Sequence, residues 1–224
     1  MNDKWDTIIW DMDGTTLNTL DDLTVSMNYT LEMFNLAPHT VDEYRRVFGN
    51  GVRYAFEHIV PEGIEAELID KMLPVYKEHY DEHCLDRTGP YDGIVDIMRE
   101  LSCRGYKQAI VSNKIDSAVQ ELHERFFAGV VDVAIGERDG VKRKPAPDMV
   151  YEALKELGST AAASVYIGDS EVDLATAKNA GLPSISVLWG FRDKGFLLEQ
   201  GAVRFAESPT DIIELICSQS SVNS

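Results

Sequence analysis

The chain has 224 residues, with 21 Lys and Arg against 38 Asp and Glu for a net charge of -17, and it is 44% apolar and 26% charged. That composition fits an ordinary folded protein of one large or two modest domains and argues against disorder. The acidity works against a nucleic-acid partner, whose binding needs Lys and Arg contacts to phosphates, and no apolar run approaches the roughly 20 residues of a membrane span.

Met1-Asn2-Asp3-Lys4 leads straight into a strand-like run without a signal-peptide pattern, which points to a cytoplasmic protein. Thr7-Ile8-Ile9-Trp10 is a short apolar run that stops abruptly at Asp11-Met12-Asp13-Gly14, as a strand does on meeting a loop. Residues 17–87 then read as consecutive helices near 20–35, 40–47, 51–59 and 63–83 without a convincing strand. Beyond them, strand-like runs begin at Gln108, Val131, Ser164, Ser184 and Ala202, and alternate with helical patterns over 93–104, 116–127, 147–157, 170–180 and 209–218. Alternation of this kind predicts an α/β fold with a Rossmann-like, doubly wound parallel sheet. The expected core is 1–16 with 88–224. The expected cap is the all-helical insertion 17–87, joined through crossings near 16–20 and 86–91. Cys84, Cys103 and Cys217 are odd in number and widely spaced, and read as reduced thiols.

Four polar clusters fall at strand ends or in the loops after them, where such sheets bind ligands. Asp11 and Asp13 present two carboxylates beside a glycine, a pattern shared by a solvated turn or a calcium loop, although the later oxygen ligands of a calcium loop are missing. Ser112-Asn113-Lys114 offers a hydroxyl and backbone N–H groups that suit phosphate oxygens, or a simple helix cap with Asp116. Lys144 stands out from the charged run Lys142-Arg143-Lys144 because Pro145 restricts its backbone. Gly168-Asp169-Ser170-Glu171-Val172-Asp173 again places carboxylates at a strand end, with Asp173 one helical turn beyond Asp169.

In order and spacing these clusters resemble the motifs of the haloacid dehalogenase superfamily of phosphatases, and the insertion after the first of them resembles the cap of the phosphoglycolate phosphatase-like subgroup. The resemblance implies a Mg²⁺-dependent phosphatase acting on a small phosphorylated metabolite. It makes Asp11 the nucleophile and Asp13 the acid and base. Mg²⁺ would be held by Asp11, the backbone carbonyl of Asp13 and Asp169. Ser112 and Lys144 would hold the phosphoryl group, with donors from the backbone of Met12 and Asn113, and Asp173 would act from behind the ligands.

In the insertion, Gly49-Asn50-Gly51-Val52-Arg53 is either a plain turn or a loop offering Asn50, Gly51 and Arg53 to the substrate, with Arg45 and Arg46 as alternative cations. His79 and His83 share a helix face but lack a third metal ligand, and Tyr29, Met33 and Phe34 read as cap core. Rival activities are pyrophosphatase, sugar-phosphate phosphatase and a β-phosphoglucomutase-like transferase. A phosphonoacetaldehyde hydrolase is disfavoured, since the only lysines between Asp11 and Arg87 are Lys71 and Lys77. A non-catalytic binding module would not need Asp11, Asp13, Lys144 and Asp169 together. Oligomeric state stays open at this level.

Overall fold

Thr7–Trp10 (β1) is apolar along its length because both of its faces are covered: all four residues are buried. Ile8 and Trp10 point into one core and Ile9 into the other. In the computed structural model, which describes residues 5–218 and so leaves the reading of Met1–Lys4 outside it, β1 lies at the centre of a six-stranded sheet. Its partners are Lys107–Ile115 (β4), Val133–Glu137 (β5), Ser164–Gly168 (β6), Ser184–Val187 (β7) and Phe205–Ala206 (β8), in the order β5-β4-β1-β6-β7-β8. Every pairing is parallel.

Ile94–Cys103 (α5), Asp116–Phe126 (α6) and Pro209–Ser218 (α10) cover the face of Ile8 and Trp10, while Asp148–Glu156 (α7) and Glu171–Ala180 (α8) cover the face of Ile9. Since β1 is flanked by β4 on one side and β6 on the other, the direction of winding changes beside it. That is where open parallel sheets form a ligand crevice.

Between β1 and α5 the chain forms Leu20–Met33 (α1), Val41–Arg45 (α2), Val52–Ile59 (α3) and Ala66–His83 (α4). These helices share an apolar cluster that includes Leu20, Met27, Tyr44, Phe56, Tyr76 and Tyr80 and touches the sheet unit at Ala118 and Phe191. The structure adds one thing here to the sequence expectation. Leu17–Asn18 (β2) pairs antiparallel with Gly89–Pro90 (β3), so the two crossings are stitched to each other. Two of the residues expected in the helical core are on the surface instead: Tyr29 is 42% and Met33 59% exposed, and only Phe34 packs inward. Their helical spacing marks a stripe, and the stripe faces solvent because α4 covers the neighbouring side of α1. Tyr29 stacks on His79, which also bonds Ser26, while His83 bonds Asp86.

Elsewhere the elements differ from expectation in extent. β4 runs through Ser112-Asn113-Lys114 to Ile115, although its pairing with β5 is irregular between Val111 and Ile115. β5 and β8 begin later than their apolar runs do, and Lys194–Glu199 (α9), capped by Asp193, was not anticipated. No helix among the described residues is long and apolar enough to cross a membrane.

A carboxylate also holds the returning crossing. Asp22 Oδ2, in the first turn of α1, accepts from Arg87 N at 3.0 Å and from both Thr88 N and Thr88 Oγ1 at 2.8 Å, with Asp22 buried. Removing the acceptor leaves buried donors unpaired, at about 1–3 kcal/mol. Asp22→Ala is therefore expected to lower stability by roughly that amount in urea unfolding, whereas Asp22→Asn, which can still accept, should lose less than half of it. Equal losses would show that the charge, not the acceptor, holds the crossing.

Candidate active site

Asp11 is the first residue past β1, and its amide still donates to Ile167 O at 2.8 Å, so the strand ladder fixes its backbone. The chain then turns tightly, with Met12 O accepting from the amides of Thr15, Thr16 and Leu17. Gly14 makes this turn possible. Its φ is +85°, and a Cβ there would stand 2.4 Å from Asp169 Oδ2. Asp169, at the end of β6, is thereby pressed against the Asp11 loop. Its oxygens accept from Phe191 N at 2.6 Å and Thr15 Oγ1 at 3.4 Å.

Lys144 joins the two strand ends. Its Nζ lies 2.6 Å from Asp11 Oδ1, 2.8 Å from Asp173 Oδ1 and 3.1 Å from Tyr166 Oη, so all three of its protons have acceptors. Asp173 is occupied on both oxygens: Oδ1 takes Lys144 and Tyr166, and Oδ2 takes Asp169 N, Ser170 N and Ser170 Oγ. At the start of α8 it also serves as the reciprocal partner in a capping box with Ser170.

The charges in this cluster do not balance. Ligand oxygens of Asp11, Asp169 and Asp173 lie within 4.8 Å of one another, and Lys144 is the cation bonded among them. Burial, then the neighbouring Asp173, push the Asp11 carboxyl well above its ordinary range, against the pull of Lys144. Burial and Asp173 likewise raise Asp169 to about 7. The Lys144 ammonium is held well above its usual value: burial opposes this, and the charges of Asp11 and Asp173 overcome it. The chemistry of these donors suits a hard divalent cation. They are buried carboxylate oxygens with excess negative charge, and Asp11 and Asp169 are less fully hydrogen-bonded than Asp173. Asp173 has no oxygen to spare and acts through Lys144 and the turn after β6.

A cavity of about 50 Å³ opens over Asp11, lined also by Asp13, Ser112, Asn113, Lys114, Gly49, Gly51 and the apolar side chains of Leu23, Phe48, Val52 and Tyr76. Among the residues singled out from sequence, Asp11, Asp13, Ser112, Asn113 and Gly51 thus meet in one place, with Lys144 and Asp169 directly beneath. Asn113 spends its amide on Gly49 O at 3.1 Å and Lys144 O at 3.0 Å, which ties the 49–51 loop to the sheet. Asn50 is not among the residues lining the cavity, and neither is Arg53, which pairs with Asp70 and Glu57 and borders a separate groove with Lys77, Glu137 and Arg143.

Two residues at the site were not assigned roles from sequence. Lys114 is buried against Asp13. Arg192, paired with Glu171, donates to the carbonyls of Arg45 and Phe48 and so fastens the end of α2 to the sheet unit. The first had a signal in its adjacency to Ser112. Nothing local to Arg192 indicates which distant carbonyls it meets.

Known proteins agree with this geometry. A solved structure named for phosphoglycolate phosphatase from Lactobacillus delbrueckii subsp. bulgaricus superposes with a TM-score of 0.90 at 39% identity, over 95% of this chain and 98% of the other. Phosphoglycolate phosphatase of Mesorhizobium japonicum is 31% identical over 197 residues, 84% of each chain. The pyrophosphatase PpaX of Halalkalibacterium halodurans is 25% identical, over 94% of this chain and 96% of its own. The sequence pattern of the Haloacid dehalogenase-like hydrolase family matches residues 8–187, which takes in most of the sheet and Asp11, Asp13, Ser112, Lys144, Asp169 and Asp173. With that match lying over the strand ends that carry Asp11, Ser112, Lys144 and Asp169, the chain belongs to the haloacid dehalogenase-like hydrolases.

Proposed function

We propose that the protein is a phosphatase that hydrolyses a small phosphomonoester resembling 2-phosphoglycolate through a phosphoryl group carried on Asp11. The observation that carries this reading is a carboxylate, Asp11, which is 5% exposed, fixed by β1 and Lys144, and opens on a cavity shared with Asp13 and Ser112. An Asp11 oxygen attacks phosphorus in line, and the bond from phosphorus to the ester oxygen breaks as Asp13 hands its proton to the departing alcohol. Water then attacks the acyl phosphate while Asp13 takes one of its protons. Phosphate leaves and Asp11 is regenerated. Lys144 holds Asp11 in place and offsets its charge as the anionic phosphoryl group arrives, and Ser112 donates to a phosphoryl oxygen. Backbone donors at Met12 and Asn113 assist.

Asp11, Asp169 and the backbone carbonyl of Asp13 are the residues that would hold Mg²⁺, which when bound neutralises the surplus carboxylate charge and polarises the phosphoryl oxygens. Asp173 keeps Lys144 and the Asp169 backbone in register from behind. Residues 17–87 act as a cap and 1–16 with 88–224 as the core. The cap excludes water during attack on phosphorus and moves to admit it afterwards. The paired crossings β2 and β3 are its hinge. The pyrophosphatase relative keeps a phosphoanhydride substrate as the second reading.

Asp11→Asn is expected to reduce phosphate release from an aryl phosphate by roughly 10³-fold or more with an unchanged unfolding midpoint, because the amide keeps the shape and is a poor nucleophile. Activity within tenfold of the parent would sink the assignment.

The metal expectation has a readout apart from turnover. Asp169, raised from near 4 to about 7 in the fold, binds its proton more tightly when folded than when unfolded. Its contribution is therefore full below about pH 4 and lost as the pH rises through about 7. In excess chelator the protein should lose stability between pH 5 and 8 relative to Asp169→Asn, and Mg²⁺ should restore it in the parent only. Chelation should also stop turnover, with Mg²⁺ reviving it and Ca²⁺, larger and less regular in coordination, inhibiting. A melting temperature indifferent to Mg²⁺ at pH 8 would refute the metal site.

A further inference from the structure

Lys114 is buried where a charged side chain needs a reason to be. Its Nζ lies 2.8 Å from Asp13 Oδ1 and 2.8 Å from Tyr80 Oη, with only 3% of the side chain exposed. It also sits over the Tyr80 ring, 4.6 Å from its centroid. Of the three ammonium protons, Tyr80 Oη accepts one, while Asp13 Oδ1 pairs with the ammonium by charge without accepting a hydrogen bond, so protons remain to be directed at a ligand. Among the residues that line the cavity over Asp11, Lys114 is the cation. The remaining wall away from the carboxylates is apolar, formed by Leu23, Phe48, Val52, Tyr76 and Ile115. An anion entering this space exchanges water for apolar wall and is stable there only beside a partner of opposite charge.

The order of groups along the cavity gives the ligand its shape. The phosphoryl group belongs at Asp11 and Ser112, the ester oxygen at Asp13, and the next group along the leaving alcohol at the ammonium that touches Asp13. We infer that Lys114 is the residue that binds a carboxylate on the leaving group of the short phosphomonoester proposed above. The inference rests on the phosphatase reading and deepens it. It moves the cationic clamp from Arg53, which is paired elsewhere with Asp70 and Glu57, to a residue of β4. Tyr80 belongs to α4, so the clamp is completed only when the inserted helices lie over the sheet.

The test compares kcat/KM for 2-phosphoglycolate with that for ethyl phosphate, which has the same chain length and no carboxylate, and for pyrophosphate, whose second anion is a phosphate. Lys114 also touches Asp13, so its loss slows every substrate, and the ratio between substrates is what reads the clamp. Lys114→Met should lower the phosphoglycolate to ethyl phosphate ratio by about 30-fold or more, the size of an unpaired buried charge. Lys114→Arg, which keeps the charge, should restore a substantial part of it. Lys114→Gln retains a polar donor toward Tyr80 without the charge, and should behave like Lys114→Met even if the latter folds poorly. An unchanged ratio in both neutral variants overturns the clamp. So does a ratio that collapses with Arg53→Ala instead.

A parent enzyme that prefers pyrophosphate, with that preference lost in Lys114→Gln, would overturn the carboxylate in favour of a phosphate. Binding of 2-phosphoglycolate to Asp11→Asn, with and without Lys114→Gln, separates the two levels of the argument. Turnover that survives in Asp11→Asn is a failure of the phosphatase reading. Equal affinity of the two proteins for 2-phosphoglycolate is a failure of the clamp alone.

Discussion

The ammonium of Lys144 carries the arrangement of the whole site. It is 3% exposed and bonded at once to Asp11 after β1, Asp173 on α8 and Tyr166 on β6, so it ties together chain segments that are adjacent only in space. Without it, two buried carboxylates would face each other unpaired, and the loops that bear them would have no reason to converge. The glycines follow from the same closeness. Side chains at Gly14 and Gly190 would each put a Cβ 2.4 Å from Asp169 Oδ2, so the backbone has to pass bare beside the carboxylate.

One ammonium among three close carboxylates leaves a surplus of negative charge, which the proposed function puts to use. Burial lifts Asp11 and Asp169 out of the ordinary carboxylate range, which is unfavourable as a resting state and would be relieved by the proposed cation. Asp173, saturated by five hydrogen bonds, serves the other purpose of keeping Lys144 and the β6 turn still. Thus two aspartates four residues apart, alike in the sequence, are separated in role by their hydrogen bonds.

Besides apolar contacts at Ala118 and Phe191, the helical insertion is bound to the sheet unit by a small number of polar fastenings. Asn113 holds the Gly49 carbonyl, Arg192 holds Arg45 and Phe48, Tyr80 meets Lys114, and Asp22 gathers the returning crossing. Fastenings of this kind can be released and remade at moderate cost, which suits the proposed reaction, in which water is excluded for one half and admitted for the other.

Composition, alternation of apolar runs and the four polar clusters determined the α/β sheet, the helical insertion and the convergence of Asp11, Asp13, Ser112, Lys144 and Asp169. Each of these is a local pattern: strands buried on both faces are apolar throughout, and parallel strands deliver their ends to one edge. The tertiary structure alone decided which cations lie at the cavity. The sequence offers Arg53 to the substrate, but Arg53 meets Asp70 and Glu57 on the helical unit, while β4 carries Lys114 under Tyr80 and against Asp13. The same is true of Tyr29 and Met33, whose helical spacing is that of a buried stripe, and of Arg192, whose acceptors lie more than a hundred residues away. Long side chains take their partners from whatever segment packs beside them, and that neighbour is set by the fold rather than by any pattern within reach along the chain.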